Sequence, residues 1–207
     1  YLTSDKELLN ISNPFSNDTN NPYGAGSASE LDYIGNEKVQ IEGNVMPDVC
    51  KSLYINREAM EDIEDYIELA KRTAVNTFVI DIRDAHIVSY KSDIMKESSI
   101  SSYDAATFTM DEFKAQLDKV KEAGIYMVGR ITVFKDKNYM IDHPEYAILD
   151  LTDDGKPFMY GGSYWPSPFV REVWEYNVEL AKEAVTKLGF NEIEFDYVRF
   201  PEQIDYY

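Results

Sequence analysis

Glu194, Asp196 and Arg199 stand between apolar and aromatic residues in the stretch EIEFDYVRF, residues 192–200. Two further stretches repeat the feature: TFVIDIRD (77–84) carries Asp81 and Arg83, and IYMVGRITVF (125–134) carries Arg130. Successive residues of a strand face opposite sides. On that alternation Glu194, Asp196 and Val198 share one face, opposite Phe195, Tyr197 and Arg199; Val79, Asp81 and Arg83 align, as do Tyr126, Val128 and Arg130. Ionised groups buried without partners cost several kcal/mol or more, so these charges must pair, hydrate or bind something. Asp81, Arg83, Arg130 and Asp196 all fall near strand ends, and a shared site of carboxylates and guanidinium groups is the chemistry they suggest. Carboxylates at Asp81, Asp84, Glu194 and Asp196 would also suit a hard divalent cation. That is the lesser reading, and neither a metal nor a cofactor is assigned.

The elements that must position these residues recur as an apolar, β-branched or aromatic run followed by an amphipathic stretch, the pattern of (β/α) units around a parallel sheet. SLYIN (52–56) precedes MEDIEDYIELAKRT, where Ile63, Tyr66, Ile67 and Ala70 recur at helical spacing. TFVIDIRD precedes a long polar loop and then MDEFKAQLDKVKEAG, with Asp111 and Glu112 at the positive end of the helix dipole and Gly124 placed to end it. IYMVGRITVF precedes a loop of more than thirty residues and the helix FVREVWEYNVELAKEAVTKLG, whose wet face is marked by Glu172, Glu175, Glu179, Lys182 and Lys187. The fourth strand is EIEFDYVRF. The long insertions, 84–109 and 133–168, follow strands, which places them at the C-terminal edge of the sheet, where binding sites form. No glycine-rich turn follows the first strand, so dinucleotide binding loses its main support. The spacing fits an open doubly wound sheet or half of a (β/α)8 barrel, and charges confined to one face near the strand ends favour the barrel.

Composition sets the outer limits. Thirty-eight acidic against twenty basic side chains give a formal charge of −18, which repels nucleic acid phosphates and anionic membrane surfaces. Nucleic acid is therefore not expected as a partner. No apolar run is long enough to span a membrane. The lone Cys50 cannot form an internal disulfide and is expected to be a small buried or semi-buried residue. Residues 1–47, rich in Asn, Ser, Gly and Pro, read as a linker-like or loosely ordered leader, from which Leu8, Leu9, Ile11 and Phe15 could dock on the following domain, residues 48–207.

The segments SLYINREAM, NTFVIDIRDAHIVSY, VGRITVFKDKNYMIDHPEYAI and REVWEYNVELAKEAVTKLGFNEIEFDYVRFPE resemble, in that order, the first four (β/α) units of a bacterial family described as a putative glycosyl hydrolase domain, related to the α-amylase-like (β/α)8 barrels. The resemblance covers about residues 50–202. It implies a TIM barrel of which only the first four strands are present, preceded by an irregular N-terminal segment, and a glycoside hydrolase acting on an oligo- or polysaccharide. It places the catalytic nucleophile at Asp196 and the acid/base on a fifth strand. Arg199 would fix or neutralise the Asp196 carboxylate, Arg130 would orient it or a substrate hydroxyl, and Asp81 completes the catalytic set. A half barrel exposes two sheet edges, so a C-terminal half or another chain is expected to pair there, and the chain is expected to be a truncated product. Extracellular or cell-envelope placement follows from the resemblance, the acidic charge and the leader.

The third loop, HPEYAILDLTDDGKPFMYGGSYWPSP, carries a hairpin signal in its Asp-Gly pair. Tyr160, Tyr164 and Trp165 among its glycines and prolines suggest a platform for stacking sugar rings, although a Trp before Pro is as readily a loop anchor. Arg83, Glu194 and His86 join them as candidate substrate-binding residues. His143, before Pro144, reads as a loop or cap residue. The competing function is a non-catalytic carbohydrate-binding or cell-surface scaffold that keeps the barrel without a complete acid pair.

Overall fold

The computed structural model describes residues 44–202. The expected leader and its docking residues Leu8, Leu9, Ile11 and Phe15 lie outside the described residues. From Met46 onward they belong to the second of two units into which the chain divides.

Strand β1 (Ser52–Ile55) leads to helix α1 (Ile63–Lys71), which buries Ile63, Ile67 and Ala70, one side of a 3.6-residue period. Glu64 and Asp65 in its first turn and Lys71 in its last complement the helix dipole. Strand β2 (Thr77–Asp84) then runs parallel to β1, with Tyr54 opposite Val79.

The segment after β2 is not the single polar loop its composition suggests. Ala85, held at φ 55°, reverses the chain into β3 (Ile87–Tyr90), antiparallel to β2. Two short helices follow, α2 (Asp93–Ser98) and α3 (Ile100–Ala105), and then β4 (Ala106–Phe108), parallel to β3. Ser92 and Ser99 cap the two helices by accepting the N–H groups of Met95 and Ser102. Helix α4 (Met110–Glu122) starts on a reciprocal capping box between Thr109 and Glu112 and buries Phe113, Leu117 and Val120. Gly124, at φ 73°, follows its end as expected.

Strand β5 (Tyr126–Thr132) is parallel to β2. Beyond it come α5 (Lys137–Asp142), capped by Asp136, and two small hairpins. The Asp-Gly signal forms the first, β6 (Leu149–Asp150) with β7 (Lys156–Pro157); Gly161 and Gly162, both at positive φ, turn the second, β8 (Met159–Tyr160) with β9 (Ser163–Tyr164). Helix α6 (Arg171–Glu183) buries Val173, Tyr176, Leu180 and Ala181, while Glu172, Glu175, Glu179, Lys182 and Lys187 are exposed. It continues as one π-helical turn to Gly189 and returns as β10 (Glu192–Asp196), parallel to β5.

The parallel strands thus stand in chain order, β1-β2-β5-β10. A doubly wound sheet reverses its order at a switch point; this one does not among the described residues. The result is a mixed α/β architecture with a mostly parallel central sheet, consistent with a partial TIM-barrel-like fold. β3 and β4 extend the sheet beside the upper end of β2, an addition that the four-strand expectation lacked. Cys50 is exposed just before β1, where no element covers it, rather than buried. No helix among the described residues is long and apolar enough to cross a membrane.

Candidate functional site

Strand registry carries the site. Asp81 of β2 lies beside Arg130 of β5, Arg130 beside Glu194 of β10, and Thr132 beside Asp196. Tyr54 of β1 belongs to the same face through its pairing with Val79. Parallel neighbours in register point the same way, so Tyr54, Asp81, Arg130, Glu194 and Asp196 share the face opposite the helices.

Arg130 is the hub, with its side chain 13% exposed. Nε and Nη2 donate to Asp196 Oδ2 at 2.9 and 2.7 Å, and Nη1 donates to Asp81 Oδ1 at 2.8 Å. Nη1 also lies 3.6 Å from Asp84 Oδ1. The Tyr54 hydroxyl donates to Asp81 Oδ2, and the Arg130 guanidinium lies 5.7 Å from the Tyr54 ring centre. A planar fork with five donors can serve several carboxylates at once, which an ammonium on a flexible stem does less well.

The two strongest partners of Arg130 differ in environment. The Asp81 side chain is 3% exposed, and burial pushes its carboxyl above the ordinary range against the opposing pull of Tyr54 and Arg130. The Asp196 side chain is 39% exposed. Burial there also works against ionisation, but the Arg130 guanidinium and the Tyr197 N–H, which donates to Oδ1 at 2.6 Å, outweigh it and hold Asp196 below the usual carboxylate range. The charge of Arg199 adds to that effect. A carboxylate offers about four lone-pair positions; Arg130 and Tyr197 take three of them on Asp196. One position on Oδ1 remains, on a side chain open to solvent.

A carboxyl whose folded pKa lies below its unfolded value near 3.9 contributes stability above that value and loses it as pH falls through the folded one. Carbon-NMR titration should therefore find Asp196 ionising below 3.9, and a value at or above it would show that Arg130 does not engage Asp196 in solution.

Arg83 does not join this set, contrary to the alternation argument. The register slips between Asp81 and Arg83, so that Arg83 pairs with Ile131 on the helix-facing side. An extra residue in one strand inverts every side chain beyond it. Arg83 is completely buried; it forms an ion pair with Asp136 at 2.7 Å and donates to Asn177 Oδ1 at 2.6 Å and to the Thr132 carbonyl. It is a core residue and not a ligand for substrate.

Of the remaining candidates, Tyr160, Trp165 and Arg199 gather with Tyr197 beyond the Asp196 end of β10. Tyr197, with φ 53°, is a bulky residue in the left-handed region, a conformation costing about 1–3 kcal/mol. This inverts the alternation after Asp196 and brings the Tyr197 ring to 5.8 Å from that of Trp165. Trp165 is 2% exposed and its indole N–H donates to the Tyr160 carbonyl at 3.0 Å. It anchors the hairpin loop rather than offering an open stacking face. Tyr160 and Tyr164 are half-buried on that hairpin, and the Tyr160 hydroxyl donates to Glu202 at 3.3 Å. Arg199 is 46% exposed; it contacts Glu202 at 3.4 Å and lies over Trp165 and Tyr197, acting on Asp196 through its charge and not by a direct ion pair. Glu194 is exposed beside Arg130. His86 is exposed at the β2–β3 turn, where its carbonyl accepts from Asn138. His143 contacts the Ser98 carbonyl in the loop after α5, a structural role.

Tyr54, Lys135 and Tyr197 are the residues that sequence reasoning missed as site members, and Asp84, read only as a lesser cation ligand, lies beside the Arg130 guanidinium instead. For Tyr54 the signal existed: pairing SLYI with TFVI in parallel register puts it on the Asp81 face. No group of three or more His, Cys, Asp or Glu among the described residues could hold a metal ion. Arg130 itself occupies the position between the carboxylates that a cation would need.

A family model described as a putative glycosyl hydrolase domain matches residues 52–206. The structure is similar to a hypothetical protein from Ruminiclostridium thermocellum, with 31% identity and a TM-score of 0.61, covering 72% of this chain and 77% of that one. It is also similar to alpha-L-fucosidase isoenzyme 2 from Paenibacillus thiaminolyticus, at 16% identity and a TM-score of 0.52, covering 70% of this chain but 23% of the other. A noncanonic maltogenic alpha-amylase from Thermotoga neapolitana gives 15% identity and a TM-score of 0.49, over 68% of this chain and 38% of that one. No curated protein matches. The fucosidase likeness supports the fold, and at that identity only the fold.

Proposed function

The chain belongs to the family described as a putative glycosyl hydrolase domain, and from that premise we propose that it is a glycoside hydrolase module acting on an oligo- or polysaccharide, with Asp196 as the nucleophile. The observation that carries the reading is the state of Asp196: a carboxylate at the C-terminal end of a parallel strand, held ionised by Arg130 yet open to solvent. Binding sites of parallel (β/α) folds form at that edge. A retaining glycosidase needs such an ionised carboxylate opposite a protonated acid/base on the other side of the scissile bond. Arg130 serves as the positioning group, with Asp81 and Tyr54 fixing its guanidinium in turn. Asp84, at the end of β2 and beside the same guanidinium, is a further accessible carboxylate of the cluster, as is Glu194 beside Arg130 on β10.

The test is covalent trapping. Full-length protein incubated with an activated 2-fluoro glycoside should acquire one sugar on the peptide that contains Asp196, read by mass spectrometry. Hydrolysis with the label on another carboxylate would remove Asp196 from the role. The scaffold reading is favoured by the engagement of Asp81 with both Tyr54 and Arg130, which leaves it no free proton-transfer role; glycan binding with neither turnover nor label would establish it.

A further inference from the structure

A cleft of about 170 Å³ adjoins Asp196, walled by Tyr160, Trp165 and Tyr197 and carrying Lys135, Arg199 and Glu202. We propose that it is a subsite for a negatively charged sugar residue, a uronic acid whose carboxylate is held between Lys135 and Arg199; this rests on the glycan-binding reading above and names its substrate class.

Acidic side chains outnumber basic ones by 38 to 20 in this chain, yet this cleft holds two cations and one carboxylate. Lys135 Nζ lies 4.9 Å from the centre of the Tyr197 ring, and the Arg199 guanidinium lies 5.0 Å from the same centre. Two like charges gathered on one ring repel each other, and a ligand anion between them relieves that repulsion. Among the described residues Lys135 is within ion-pair distance of no carboxylate, and the one that reaches Arg199 there, Glu202, does so at 3.4 Å. A ligand carboxylate can displace so long a contact and then meet two donors.

Tyr197 holds its left-handed backbone because its carbonyl accepts the Phe134 N–H at 3.2 Å and its own N–H donates to Asp196. The residue that orients one oxygen of Asp196 therefore also carries the ring on which both cations rest. Lys135 is brought there by the turn after β5, where the Thr132 hydroxyl donates to its carbonyl and Asp136 caps the next helix. At about 170 Å³ the cleft accommodates about one sugar ring.

The experiment is calorimetric titration of the full chain with oligogalacturonate and with the same oligosaccharide methyl-esterified, which keeps the sugar and removes the charge. The acid form is expected to bind about tenfold more tightly at low salt, and Lys135→Gln should bring it down to the affinity of the ester while Lys135→Arg retains the preference. Equal binding of acid and ester, or a preference that survives Lys135→Gln, overturns the subsite and leaves the glycosidase reading intact if Asp196 is still labelled by a neutral glycoside. Binding of neither form, together with no labelling, overturns both.

Discussion

Arg130→Met is expected to destabilise the fold by about 3–5 kcal/mol and to abolish turnover in whatever fraction remains folded. Breaking a buried ion pair from one side leaves the other charge in a poor solvent, and that costs more than the pair contributes. Asp81 is the charge left behind, on a nearly inaccessible side chain whose remaining side-chain partner is the Tyr54 hydroxyl. For a domain of this size each kcal/mol shifts Tm by roughly 2–4 °C, so thermal unfolding should move down by about 10 °C. A second readout separates function from stability: without the guanidinium, the Asp196 carboxyl should titrate upward toward its ordinary range, because the largest influence lowering it is gone. Arg130→Lys should recover part of the stability but not the geometry, since an ammonium cannot serve Asp196 through two parallel donors while also reaching Asp81. A loss below about 1 kcal/mol for Arg130→Met would mean that the cluster behaves as a solvated surface network, and the argument for a built site would go with it.

How far the molecule was legible beforehand depended on whether a local rule stayed unbroken. The four parallel strands and the three long helices were readable because their apolar periods run without interruption, as in Phe113, Leu117 and Val120. The residues around Arg130 were readable for the same reason: alternation holds from Val79 to Asp81 and from Val128 to Arg130. It failed at Arg83 and Tyr197. One register slip and one left-handed residue each invert a face, and neither leaves a mark in residue type, since Ile82 is an ordinary strand residue and Tyr is not a residue that favours positive φ. The segment from 85 to 108 was opaque for another cause. Its elements are three to six residues long, too short to show a period, and they are fixed by serine caps and by the buried Glu183 carboxylate, which accepts from Tyr90, Ser92 and the Asp93 N–H about ninety residues away in sequence. Trp165 was legible as one of two alternatives, and packing beneath the hairpin decided for the anchor.

Arg83→Met provides the second large effect, and its pH dependence identifies the cause. The substitution keeps most of the side-chain volume but leaves Asp136 fully buried beside α5 without its cation. Burial already pushes the Asp136 carboxyl upward, against the pull of Arg83, so removing Arg83 raises it further. A carboxyl whose folded pKa lies above its unfolded value favours the folded state below that unfolded value, and the advantage is lost as pH rises through the folded pKa. The variant should therefore lose about 3–5 kcal/mol at neutral pH and noticeably less near pH 4. Asp136→Asn added to Arg83→Met removes the stranded charge while keeping a side chain that can cap α5 by accepting the Tyr139 N–H, so the double variant should be more stable than the single one in urea denaturation at neutral pH. If it is no better, the ion pair is not what the substitution disturbed. Glycan affinity of the folded double variant should match that of the parent, because Arg83 lies behind the sheet and not in its mouth. A selective loss of binding would instead return Arg83 to the site and require the β2 register to differ in solution.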